Sequence, residues 1–134
     1  MASIRREILL EARPEEVWDV VRDVGAVHTR FAPGFVTDTR LEAGARVVTF
    51  ANGASARELI VDVDERARRL AYAAVGGRLT HHNASFTVVD NGANATRLVW
   101  VADLLPNDLA PVIEGMMDLG VEAIRKAFAQ PVTS

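Results

Sequence analysis

The spacing of apolar positions changes twice along the chain. Residues 3–12 (Ser-Ile-Arg-Arg-Glu-Ile-Leu-Leu-Glu-Ala) read as an extended first strand. Arg13-Pro14-Glu15-Glu16 then marks a helix start. Proline suits the first helical position, where its missing N–H costs nothing, and the two glutamates oppose the positive end of the helix dipole. Val17, Trp18, Val20 and Val21 give this helix one apolar face through Asp23. A second short helix is predicted over residues 26–31, ended by Pro33-Gly34.

From Phe35 to Asp103 the helical period gives way to short runs rich in Val, Thr and Phe. Turn signals separate them: Glu42-Ala43-Gly44, Asn52-Gly53, Asp64 to Arg68, Gly76-Gly77 and Asp90-Asn91-Gly92. Asn-Gly favours the positive φ of tight hairpins. Six strands follow, over 35–42, 45–51, 55–63, 69–75, 80–89 and 95–104, and hairpins this short join antiparallel neighbours. Pro106-Asn107-Asp108 offers a break and a cap for a last helix running to Ala129. Pro111 falls in its first turn, and Leu109, Val112, Ile113, Met116, Met117, Gly120, Ile124 and Phe128 recur at helical spacing.

This order predicts an α+β fold of the helix-grip kind. A seven-stranded curved antiparallel sheet, with two short helices, must cover its apolar face with the long C-terminal helix. A curved sheet touches one helix along only part of that face, so the remainder is expected to be a cavity. The whole of residues 1–134 fits one domain.

Composition narrows the function classes. The formal net charge of −3 gives no electrostatic reason to expect a nucleic-acid partner. Arg66, Arg68 and Arg69 cluster, but Asp62, Asp64 and Glu65 sit beside them, the pattern of a solvated turn. The absence of cysteine removes disulfides and thiolate chemistry. Ile8-Leu9-Leu10 is too short for a signal-peptide core, and no apolar run reaches membrane-spanning length, so the expected setting is cytoplasmic. A homodimer stays open.

The ordered set Ala12-Arg13-Pro14-Glu15-Glu16-Val17-Trp18, Ala32-Pro33-Gly34-Phe35, Arg57 to Glu65, Leu70-Ala71-Tyr72 and Gly76-Gly77 resembles the START-like (SRPBCC, Bet v 1-like) superfamily. That superfamily includes the birch-pollen allergen type, the polyketide cyclase/dehydrase group and plant abscisic-acid receptors. The stretch Glu58 to Asn83 is most similar to the receptors, whose pocket carboxylate, pocket aromatic and glycine loop match Glu58, Tyr72 and Gly76-Gly77 with His81 and Asn83. The receptors' longer gate loop has no match in the short Asn52-Gly53-Ala54, so the resemblance points to a bacterial-type relative and not to hormone sensing.

Glu58 is the most informative carboxylate. Strand alternation taken alone turns Leu59, Val61 and Val63 inward and Glu58 to solvent, whereas the resemblance turns Glu58 and Ile60 inward; a bulge between them would reconcile the two. An inward Glu58 could bind a polar ligand group or move a proton; otherwise it is a surface residue or the partner of an arginine. Of His81 and His82 only one can face the cavity, because adjacent strand residues point to opposite faces. With His28 far away in sequence and no His-x-His spacing, no metal site is expected. Trp18 reads as helix-to-sheet packing, while the direction of Trp100 is undecided in a run apolar on both faces. Gly120 leaves room either for a ligand or for close contact with the sheet.

Three readings follow. The first is a binding protein for a small hydrophobic or amphipathic molecule, needing no cofactor. Its candidate ligand-binding residues are Phe31, Phe35, Glu58, Ile60, Tyr72, His81, Phe86, Val99, Val112, Met116 and Gly120. The second is a cofactor-independent enzyme of the cyclase/dehydratase type with Glu58 and His81 as acid and base. The third is a protein-interaction module, which would show a collapsed cavity and an exposed apolar patch.

Overall fold

A computed structural model describes residues 2–129. Strand β1 (Ala2–Leu10) leads into helix α1 (Pro14–Val21) and one turn of π-helix (Val27–Phe31). Six strands follow: β2 (Val36–Glu42), β3 (Ala45–Phe50), β4 (Ser55–Asp64), β5 (Arg69–Val75), β6 (His81–Asp90) and β7 (Thr96–Leu105). A 3₁₀ turn (Asn107–Leu109) then enters helix α2 (Ala110–Ala127). All neighbours in the sheet are antiparallel, in the order β1-β7-β6-β5-β4-β3-β2. This is the predicted meander, with β1 returning to pair along the last strand.

The core lies between the concave face of the sheet and α2. Ile4 and Ile8 of β1, Leu70 of β5, and Leu98, Trp100, Ala102 and Leu104 of β7 are buried on the same side as Met117, Val121 and Ile124 of α2. Two local differences from the sequence reading have simple causes. The second short helix closes as a π turn, with Ala32 N–H reaching Val27 O at 2.8 Å. Asn107 and Asp108 form the 3₁₀ turn ahead of α2, and neither side chain caps the helix.

Polar ties fasten the layers at their margins. Arg6 donates to Asp118 at 2.7 Å, linking the first strand to the last helix. Trp18 packs as expected and its indole N–H donates to Glu65 at 2.7 Å, while Arg22 reaches the other oxygen of that carboxylate. The basic stretch after Glu65 is a turn: Asp64 accepts the backbone N–H groups of Arg66 and Ala67, and Arg68 closes it at φ 52°. Among the described residues no helix is long and apolar enough to cross a membrane.

Two glycines of α2 stand in opposite circumstances. A Cβ on Gly120 would lie 3.0 Å from the Trp100 ring and 3.3 Å from Phe35, whereas one on Gly115 would meet nothing within 4 Å. Gly120 therefore lets helix and sheet approach closely, while Gly115 only weakens the helix. Gly115→Ala is expected to raise stability by about 0.5–1 kcal/mol. Gly120→Val should lower it by about 1–3 kcal/mol through overpacking. Urea unfolding followed by circular dichroism measures both.

Candidate functional site: a partly open cavity with a polar floor

Between the sheet and the N-terminal half of α2 lies a cavity of about 200 Å³, partly open to solvent. Its position follows from the burial gradient along α2. Gly120, Val121 and Ile124 are sealed against the sheet, whereas Ile113 and Met116 are only half-buried and stand at the mouth with Phe35, Phe50 and Leu79. The walls are largely apolar and aromatic. Phe86 stacks on Trp100 at 4.7 Å and on Tyr72 at 6.0 Å, and Phe31 meets Phe86 edge-on at 4.9 Å.

The floor is polar and internally paired. Arg46 and Glu58, opposite each other on β3 and β4, join through an N–H to carboxylate bond of 2.8 Å, with side chains 4% and 12% exposed. The Arg46 guanidinium also lies 5.3 Å over the Tyr72 ring and donates to Val24 O at 3.4 Å. Tyr72 accepts the Trp100 indole N–H at 2.9 Å. Burial pushes the Tyr72 phenol above its ordinary range, and the Glu58 charge adds to this. The hydroxyl is thus a protonated donor at neutral pH. His82 lines the cavity and its Nδ1 accepts the backbone N–H of Ala74 at 3.0 Å. Burial lowers the His82 pKa, neighbouring His81 lowers it further, and Asp103 opposes them.

Glu58 faces inward because β4 carries a bulge. The β4–β5 register runs through Ile60↔Tyr72 and resumes at Asp62↔Ala71, leaving Val61 unpaired and 57% exposed. Val63, opposite buried Leu70, then keeps the inward phase that plain alternation assigns it, while Ala56 and Glu58 take the cavity side. The resemblance reading holds for Glu58 and Ile60, whereas plain alternation matches only the phase of Val63, itself 36% exposed, and misplaces Leu59 and Val61.

Of the candidate ligand-binding residues, Phe31, Phe35, Glu58, Tyr72, Phe86, Met116 and Gly120 border the cavity. Four do not. His81 is exposed, because Ala84, Phe86 and Val88 set the inward phase of β6 and His82, not His81, shares it. Asn83 also lies out of that phase. Val99 takes the outer face for the same reason, flanked across the sheet by Glu7 and Thr87, since Trp100 points in. Val112 is 57% exposed. At 3.6 residues per turn it stands about 80° around α2 from Gly120, whereas Ile113, Met117, Gly120 and Ile124 keep to one stripe. Ile60 packs against the core without bordering the cavity. Arg46 and His82 were missed, although Arg46 is in phase with Val48 and Phe50, and His82 with Phe86.

Over residues 1–131 the chain matches the family described as polyketide cyclase / dehydrase and lipid transport. The chain belongs to that family. No curated protein sequence matches it. Among solved structures it is similar to a Thermobifida fusca protein at 28% identity, with a TM-score of 0.77 over 96% of this chain and 91% of that one. Norcoclaurine synthase from Thalictrum flavum is similar at 18% identity, TM-score 0.76, over 97% and 94% of the two chains. The di-domain ARO/CYC BexL of the BE-7585A biosynthetic pathway matches at 17% identity and TM-score 0.78, over 95% of this chain and 46% of its own. At 17–18% identity the likeness is one of fold, and it agrees with the START-like resemblance of the sequence.

Two outcomes follow from the floor of this family member. Arg46→Met strands a buried carboxylate and is expected to cost about 3–5 kcal/mol, while the double change with Glu58→Leu recovers most of the loss. Urea titration of the four proteins reads the coupling. The second concerns pH. The unfolded His82 titrates near 6.5, and the folded one below that. As pH falls through about 6.5 the unfolded chain therefore takes up the proton first, and stability is lost until the folded value is reached. His82→Gln should flatten the fall of the melting temperature below about pH 6.5 relative to wild type.

Proposed function

We propose that residues 1–134 act as a single binding domain for a small hydrophobic or amphipathic molecule, held between the sheet and α2. The observation that carries this reading is a partly open, largely apolar cavity whose few polar groups are gathered on one floor. Apolar walls supply affinity at about 25 cal/mol per Å² of buried ligand surface before ordering costs, and the floor fixes orientation. The family description, which includes lipid transport, is consistent with it.

Size limits the ligand. A dry cavity of roughly 150 Å³ holds benzene, so about 200 Å³ with an open mouth suits one or two rings better than a long acyl chain. The cyclase/dehydratase reading loses its proposed base, because His81 is exposed. His82 does not simply replace it: the lone pair of its neutral ring is already occupied by the Ala74 N–H. The interaction-module reading required a collapsed cavity, and an open one favours binding.

Native mass spectrometry of freshly purified protein, followed by solvent extraction, tests the reading. The expected result is a co-purifying or added compact amphipathic molecule that raises the melting temperature. Met116→Trp, which narrows the mouth, should weaken that binding about tenfold or more while the unliganded protein still melts cooperatively. A clean apo mass, with no member of a ring-compound library shifting the melting temperature, would reject it.

A further inference from the structure

Two hydrogens on the cavity side of the sheet have no protein acceptor among the described residues. Tyr72 uses its oxygen to accept from Trp100, and its own O–H finds no partner. His82 uses Nδ1 to accept from Ala74, which leaves the proton of the neutral ring on Nε2, again without a partner. Both rings border the same cavity, with centroids 6.0 Å apart and planes tilted by 45°. Glu58 does not take up either hydrogen, since its carboxylate faces Arg46.

The sheet itself explains why the imidazole is held this way. The β5–β6 ladder runs from Arg69↔Thr87 to Tyr72↔Ala84 and stops there, although β5 continues to Val75 and β6 begins at His81. Ala74 N–H, which is part-buried, thus lacks a β6 backbone partner, and a donor shielded from water needs one. The His82 side chain fills that role. One ring nitrogen is therefore fixed by the backbone and the other is left as a donor of known identity.

We infer that Tyr72 and His82 form a paired hydrogen-bond donor for one oxygen of the ligand, so that the cavity selects compact, uncharged ring compounds bearing a carbonyl group. The inference deepens the binding reading above and rests on it. A carbonyl oxygen has two lone pairs and no hydrogen to dispose of, so it matches two donors, whereas an amine would set donor against donor. An anionic ligand is disfavoured because the one cation on the floor, Arg46, is already neutralised by Glu58. A hydrocarbon would cut both donors off from water without pairing them, which is a strong form of discrimination for a pocket.

The test compares α-tetralone with tetralin, which differ only by a carbonyl in place of a CH₂ group. Isothermal titration calorimetry on the wild-type protein is expected to show about tenfold tighter binding of the ketone. The infrared carbonyl stretch of bound α-tetralone should move to lower wavenumber. Tyr72→Phe and His82→Leu should each cut the preference for the ketone over tetralin several-fold. His82→Gln keeps the preference, because its amide oxygen can accept from Ala74 and its amide N–H can donate to the ligand. Imidazole nitrogen NMR on the wild type reads the tautomer without any ligand, and Nε2–H is expected. Equal affinity for the two compounds, an unshifted carbonyl stretch or an Nδ1–H tautomer each overturns the donor pair while leaving the cavity reading intact. Failure of both compounds to bind the folded protein removes the cavity reading for compact rings, and the donor pair with it.

Discussion

One extra residue in β4 governs the chemistry of this cavity. Side chains of a strand alternate between faces, so a single unpaired position reverses the phase of everything beyond it. With Val61 bulged outward, Val63 stays opposite core residue Leu70 while Glu58 comes to face the interior across from Arg46. Without that bulge the inward residues of the strand would be Leu59 and Arg57, the carboxylate would lie in solvent, and Arg46 would be a buried charge with nothing to neutralise it. The ion pair depends on this phase, and with it the seat of the guanidinium over the Tyr72 ring.

Such a floor carries high stakes in both directions. A buried ion pair contributes little net stability, because desolvation consumes most of the Coulombic gain, yet losing one partner is severe. What the arrangement supplies is definition. Arg46 is held by Glu58, by Val24 O and by the Tyr72 face, and Tyr72 is held in turn by Trp100, so the polar groups have few alternative positions. The rim is the opposite. Met116, Ile113 and Leu79 are partly exposed and apolar, and include a flexible thioether that accommodates different shapes. Rigid orientation at the floor and tolerance at the mouth suit a pocket that recognises a functional group more strictly than a carbon skeleton.

Much of this was legible in the sequence. Turn residues and period changes placed all seven strands and the long helix, because each hairpin is local and its signals are local too. The site was legible only in part, for reasons tied to particular residues. Trp100 sits in a run apolar on both faces, so periodicity could not orient it; its partners across the sheet do. Tracing phase backward from Phe86 selects His82 over His81, and tracing it forward to Val48 and Phe50 makes Arg46 an inward charge in need of a carboxylate. Val112 failed because an i+4 row drifts around a helix over two turns. The bulge at Val61 left no composition signal at all, and only the conflict between two readings of β4 pointed to it.

The cavity's size has a cause in the same physical terms. At Gly120 the helix comes so close to Trp100 that even a methyl group would be crowded, whereas four residues earlier Met116 stands half-exposed. The helix therefore lies against the sheet at its C-terminal half and stands away from it at its N-terminal half, and the space between is a wedge. A wedge closed by an aromatic stack cannot lengthen inward without unstacking Phe86 and Trp100, so ligand length can grow only toward the mouth. The deepest part of any ligand must then be compact and must satisfy the polar floor, while its outer part meets only the adaptable rim. On the proposed binding function, a few fixed hydrogen-bonding atoms at depth would then set selectivity more than total apolar area.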